Sequence, residues 1–245
     1  RPKLLLALPG GMAPSERQTL VDVIVDAGVR SVVPVDEGVA SAIGAGMRID
    51  QPYGRMNIDI GGGRTNVSVF SFGHQIVWDI LNVGGDRFDD AIIDYLRKKH
   101  NLLIGARTAE ELKIDIGSAR MRGVKLEMDA CGRSLVSGLP RAVTVSSEEM
   151  IEALDEPLRD LMSALHRMIE RTPPELAADV AVSGILLTGG GSLLQGMDTL
   201  LAARTGMETH LAEDPIRAVA LGLEQTLPHL AKRQEGVLNL SLIHL

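Results

Sequence analysis

At 245 residues the chain has room for one large domain or two modest ones. Its formal net charge of −7 argues against a general nucleic-acid binder, which carries a basic surface. The single cysteine, Cys131, excludes an internal disulfide framework and a Cys-rich zinc site, and suits a reducing cytoplasm.

Hydrophobic residues make up 45% of the chain but aromatic ones only 2%, so Leu, Ile, Val, Ala and Met must fill the core. No run of about 18 apolar residues occurs, and no membrane span is predicted. The opening KLLLALPGG is too short for a signal-peptide core with a cleavage site.

In chain order, Lys3 to Leu8 reads as a strand and Pro14 to about Ala27 as a helix with Leu20, Val21, Ile24 and Val25 as its apolar stripe. Arg30 to Val35 reads as a second strand. The small residues of GVASAIGAG, 38 to 46, predict a helix that another backbone can approach closely. Met56 to Ile60, Asn66 to Phe72 and Gln75 to Asn82 predict three strands in an antiparallel meander. The first two are joined by a glycine-rich turn, IDIGGGRTN, and a second such turn, LLTGGGSLLQG, lies at 186 to 196. The apolar run from Val180 to Leu187 reads as the strand leading into it. Three consecutive glycines allow φ > 0 and leave no Cβ in the way, so N–H groups can converge on phosphate oxygens. A plain strand turn is the competing reading of each triplet.

Between the two turns, Val83 opens a helix reaching about His100, with Asp86, Asp89 and Asp90 near its start and Arg97, Lys98 and Lys99 near its end, as the helix dipole favours. A further helix is expected from Thr108, as N-cap with Glu111, to about Ile116. Residues 121 to 145 predict a small sheet. Ser146 and Ser147 cap a long helix to Arg171 that Pro157 is expected to kink, and Thr172-Pro-Pro ends it. Ser192 to Arg204 and Asp214 to about Thr226 are read as the last helices. The six histidines show no metal-ligand spacing, so no zinc site is expected.

These segments in this order resemble the actin/Hsp70-type ATPases, and closely the bacterial MreB family. The stretches that carry the likeness are SVVPVDEGVASAIGAG, MNIDIGGGRTNVSVFSFG, VGGDRFDDAIIDYL, LLIGARTAEELKIDIGSA, RTPPELAADV and GILLTGGGSLLQGMDTLL. The resemblance implies an α/β actin-like (ribonuclease H-like) fold with domain II complete and domain I partial. Residues 1–55 would be part of domain I, 56–212 domain II with a IIB insertion over about 97–175, 213–230 a helix returning to domain I, and 231–245 an unassigned tail. It implies ATP and Mg2+ in an interdomain cleft, self-association into filaments, and a role in rod shape through cell-wall synthesis and membrane-associated morphogenesis proteins. The location implied is the cytoplasm, with the inner-membrane surface as a place of attachment.

The same resemblance assigns roles to residues. Glu37 would orient the attacking water, as a carboxylate that accepts its hydrogen bond. Asp59 would stand near Mg2+ through water. Gly61, Gly62, Gly63, Arg64 and Thr65 would meet the β- and γ-phosphates, Glu110 and Lys113 the ribose and adenine, and Gly189, Gly190, Gly191 and Ser192 the adenosine and α-phosphate side. Against each stands a structural reading: a capping carboxylate for Asp59, a surface ion pair for Glu110 and Lys113, and solvent for Arg64.

Three departures from the family pattern are visible. The DLGT-type hairpin of the first phosphate loop has no counterpart after Arg1, so the front of domain I is expected to be missing. Arg64 replaces a threonine, which predicts altered hydrolysis and a faster Arg64→Thr variant. Asp36-Glu37-Gly38 stands where the family has Glu-Glu-Pro. A non-hydrolysing scaffold of the same fold is therefore the alternative function.

Overall fold

The structure is a computed structural model that describes residues 1–231. Ten strands form three sheets. Strand β1 (Lys3–Leu8) pairs in parallel with β2 (Ser31–Asp36), with helix α1 (Pro14–Asp26) as the crossover. Helix α2 (Glu37–Gly44) follows directly on β2. The central sheet has five strands. Its meander of β3 (Arg55–Ile60), β4 (Thr65–Ser71) and β5 (His74–Leu81) is antiparallel, as three successive strands with short turns predict. On the other side of β3 lie β9 (Ile185–Thr188) and then β10 (Thr209–Leu211), both parallel.

Between β5 and β9 the chain forms α3 (Gly85–His100), β6 (Leu102–Leu103), α4 (Ala106–Asp115), β7 (Glu127–Ser134), β8 (Pro140–Ser146), α5 (Ser147–Arg171) and α6 (Pro174–Ser183). Strands β7 and β8 supply the small sheet expected over 121 to 145, and β6, outside that span, adds a third strand to it. Helices α7 (Met197–Thr205) and α8 (Ala218–Ala231) complete the described chain.

Alternation on β3 and β4 divides the residues between two faces. Met56, Ile58, Ile60, Val67 and Val69 join the main core with Phe88, Ile92 and Leu96 of α3 and Leu154, Leu161 and Met168 of α5. The opposite phase carries Asn57, Asp59, Asn66 and Ser68, all buried. That polar face lies under α2, because Asn57 Nδ2 donates to Ser41 Oγ at 2.8 Å. Helix α8 packs across α2 on the far side. A Cβ on Gly44 would collide with the Ala218 carbonyl, and one on Gly222 with the Ala40 carbonyl. The close approach expected of the small-residue helix is therefore met.

Several boundaries differ from expectation. Helix α4 begins at Ala106 after Gly105, so Thr108 lies inside it and caps nothing; Gly105 follows β6 so closely that the helix starts as soon as the strand ends. Val180 to Ser183 belongs to α6, and the strand begins only at Ile185, after Gly184 at φ 79° turns the chain. Ser192 sits in a short 3-10 turn, Gly190–Leu193, separated from α7 by Gly196 in the left-handed region. Helix α8 starts at Ala218, because Asp214 to Arg217 form a turn first. Helix α5 is assigned as one continuous helix through Pro157, with Ser146 and Glu149 forming its capping box. The stripe on α1 is only partly covered: Leu20 and Val25 remain 39% and 37% exposed, since the two strands below are too narrow to cover a helix face. The tail beyond Ala231 lies outside the described residues.

Candidate functional site

Both glycine turns meet at the C-terminal end of β3. The second presses on Ile60: a Cβ on Gly189 would collide with the Ile60 carbonyl, and one on Gly191 with the Ile60 side chain. Gly189 also needs its glycine for φ +80°. In the first turn none of Gly61, Gly62 and Gly63 adopts a positive φ, contrary to expectation. The reason is the tight antiparallel closure, in which Gly61 N–H donates to the Arg64 carbonyl at 2.9 Å. The start of α3 docks on this turn, with Gly85 and Asp86 N–H groups donating to the Gly61 and Gly62 carbonyls at 2.9 Å each. Gly84 fits there only because it has no Cβ. Among the described residues, the N–H groups of Gly62 and Gly63 find no protein acceptor, so they remain to meet a ligand.

The two adjacent acids of the β2–α2 junction do different work. Asp36 is the N-cap of α2, its Oδ1 accepting from Gly38 N at 2.9 Å and Val39 N at 3.3 Å. Glu37 is half-buried and accepts from Asn66 Nδ2 at 3.3 Å. Asp59 stands nearby, 4% exposed, and its Oδ1 accepts from Thr188 Oγ1 at 3.0 Å. Burial pushes the Asp59 carboxyl up to about 6; the Thr188 hydroxyl opposes the shift, the Glu37 charge adds to it, and the Asn66 amide opposes it.

A carboxyl raised in this way stabilises the fold when protonated. Its contribution is present in full below its ordinary value of 3.8 and is lost as pH rises through about 6. At neutral pH the ionised group costs on the order of 2–3 kcal/mol. Asp59→Asn keeps the acceptor for Thr188 and removes the charge. In EDTA at pH 7.5 this variant is expected to melt several degrees higher than the parent, with the gap closing towards pH 4. Equal melting temperatures at pH 7.5 would contradict it.

A cation would supply the compensation that this site lacks. The Asp59 carboxylate suits Mg2+, which takes one or two carboxylates and fills its shell with water and phosphate. Among the described residues no group of three His, Cys, Asp or Glu side chains is arranged to hold a metal ion.

The remaining predicted residues divide. Thr65 lies in the turn, but its hydroxyl donates to the Val83 carbonyl at 2.7 Å. Ser192 Oγ donates to the Gly189 carbonyl at 2.6 Å, and a Cβ on Gly190 would meet only the Ile216 side chain, at an ordinary 3.9 Å. Both hydroxyls thus hold the turns in shape. Arg64 is exposed. Lys113 pairs with Asp89 at 2.9 Å and reaches the Gly85 carbonyl at 3.2 Å, which places it beside the first turn, while Glu110 on the same helix is exposed. Asn57, Asn66, Ser68 and Thr188 were not singled out from the sequence. The signal was present: MNIDI and TNVSVF place polar residues at every second position of strands that are otherwise apolar. Two cavities of about 460 and 280 Å3 lie elsewhere, one beside Arg120 and Gln195, the other beside Arg55 and His210.

A five-stranded mixed sheet with a glycine turn on each of two neighbouring strands, and a helix delivering a carboxylate above them, defines a protein of the actin-like fold. MreB5 of Spiroplasma citri bound to ADP superposes with a TM-score of 0.92 at 35% identity, over 94% of this chain and 70% of that one. The chain belongs to the MreB/Mbl family, whose model, described as MreB/Mbl protein, matches residues 1–235. The cell shape-determining protein MreB of Escherichia coli (strain K12) is 43% identical over 221 residues, covering 90% of this chain and 64% of that protein. Mbl of Bacillus subtilis (strain 168), also described as cell shape-determining, is 39% identical over 232 residues, or 95% of this chain and 70% of that one. The chain thus spans somewhat under two thirds of the E. coli relative's length. Among the described residues no helix is long and apolar enough to cross a membrane.

Proposed function

We propose that this chain belongs to a bacterial actin-like cytoskeletal ATPase. It binds ATP with Mg2+ between α2 and the two glycine turns, self-associates into filaments, and helps set rod cell shape by organising wall synthesis at the inner-membrane surface. The observation that carries this reading is the convergence of Glu37, Asp59 and the free Gly62 and Gly63 N–H groups at the end of β3. The ADP bound to the Spiroplasma relative and the cell-shape names of the E. coli and B. subtilis relatives support it. In this reading residues 1–55 and the helix of 213–230 belong to one domain and 56–212 to the other.

Phosphoryl transfer to water needs positioning and charge stabilisation more than covalent chemistry. The Gly62 and Gly63 N–H groups would bind phosphate oxygens, and Lys113 would hold α4 against the turn. Glu37 would accept a hydrogen bond from water and take its proton as the oxygen attacks. Asp59 would hold water on the cation side. Mg2+, when bound, neutralises developing phosphate charge.

A non-hydrolysing scaffold is the second reading, favoured by Arg64, whose exposed side chain stands at the turn where the family has a hydroxyl. Calorimetric titration of ATP with Mg2+ into the protein as encoded, any residues before Arg1 included, separates the two. Saturable heat together with phosphate release and sedimenting polymer is expected. Absence of binding heat would favour the scaffold.

A further inference from the structure

The polar layer under α2 contains one side chain that touches the candidate water-orienting group and has no role so far. Asn66 stands directly opposite Asp59 in the β3–β4 register. It is 5% exposed, and its Nδ2 donates to Glu37 Oε2 at 3.3 Å. The reverse amide orientation would set an oxygen against a carboxylate, so the donor end belongs to Glu37. Among the described residues Glu37 Oε1 has no partner, which leaves one oxygen of the carboxylate open to water.

The neighbours of Asn66 are fixed. Two residues along the same face, Ser68 Oγ accepts from Gln75 Nε2 at 2.7 Å and lies 2.8 Å from where a Cβ on Gly38 would be. Strand β4 therefore sets the first turn of α2 at two successive same-face positions. On β3, Asn57 Nδ2 reaches both Ser41 Oγ at 2.8 Å and Thr188 Oγ1 at 3.3 Å. Glu37 and Asp59 would otherwise face one another as like charges, and Glu37, unlike Asp59 on Thr188, would have nothing to hold it. An amide between them is neutral, donates to Glu37, and cannot add to the repulsion.

We propose that Asn66 is a positioning residue for hydrolysis: it holds one oxygen of Glu37 so that the other is presented to the attacking water. The inference rests on the hydrolytic reading of Glu37 given above. Asn66 also faces Asp59, whose raised pKa it opposes, so the test must separate an effect that runs through Glu37 from one that does not.

Steady-state ATP hydrolysis by the protein as encoded tests it, with Asn66→Ala, Asn66→His, Glu37→Gln and the Asn66→Ala/Glu37→Gln double variant. Asn66→Ala is expected to lower kcat about ten- to hundredfold, a part of the ~10²–10⁴ that a positioned acid–base group supplies in full, with KM for ATP changed less than about threefold. Asn66→His, whose ring N–H can still donate, should recover a large part of that loss. In the Glu37→Gln background the Asn66→Ala change should cost nothing further, because residues acting as a unit are not additive. Native turnover by Asn66→Ala overturns the inference, as does a loss that adds in full to that of Glu37→Gln or that follows KM instead of kcat. If Glu37→Gln itself turns over ATP normally, the parent reading fails and takes this one with it. If only Asn66→Ala does, Glu37 stands and Asn66 alone is excluded.

Discussion

Gly222→Val is expected to abolish the native fold around α2, seen as lost soluble yield or a melting temperature lowered by about 10 °C or more. A side chain at 222 would strike the Ala40 carbonyl, and that contact is backbone on both sides. No rotamer change relieves it, so α8 must move away from α2. Gly44, which meets the Ala218 carbonyl on the same crossing, would lose its contact at once. Beneath lie Ala40, Ala42 and Ile43, at 0%, 0% and 3% exposure, which the displaced helix would uncover. Overpacking commonly costs about 1–3 kcal/mol, and a backbone collision falls at or beyond the upper end. For a chain of this size each kcal/mol lowers the melting temperature by about 2–4 °C. A melting curve within about 2 °C of the parent would show that the crossing can relax.

Glu37→Gln is expected to lower ATP hydrolysis by about 10²–10⁴-fold while leaving ATP binding nearly intact. The amide keeps an acceptor for Asn66 but cannot take a proton from water. Its neighbour cannot replace it, because both donors of the first turn of α2, Gly38 N and Val39 N, hold the Asp36 carboxylate in the cap. The matching control is Asp36→Asn, which preserves a good N-cap and should change turnover less than about threefold. Phosphate release measured at saturating ATP decides between them. Equal losses in the two variants, or normal turnover in Glu37→Gln, would remove Glu37 from the chemistry.

Much of this molecule is legible locally. The meander of β3, β4 and β5 follows from three consecutive strand segments joined by short turns. The caps of α5 follow from Ser146, Glu149 and Thr172, because a capping bond joins residues three apart. The two glycine turns are visible as triplets, and the family likeness rests on their order and spacing. All of these signals act over a few residues, which is the range at which a sequence can be read unaided.

Contacts between distant segments decided the rest. Val180 to Ser183 has the composition of a strand but lies in α6, where Val180 is buried in the main core. The glycines of the second turn are required mainly by Ile60, about 130 residues earlier in the chain; in the first turn only Gly61 is crowded, by the Arg64 carbonyl, while a Cβ on Gly62 or Gly63 would meet Asp86 of α3 at ordinary contact distance. Asp36 and Glu37 are adjacent carboxylates with no local difference between them. Only the direction in which α2 leaves β2 assigns one to the helix cap and presents the other to Asn66 on β4. Thr188 meets Asp59 across 129 residues of sequence. Local pattern and glycine spacing determined the meander, the place of the two glycine turns and the family by themselves. The packing of α2 over a buried polar sheet face determined which carboxylate is free and what holds it, because hydrogen bonds between remote segments exist only once the chain has folded.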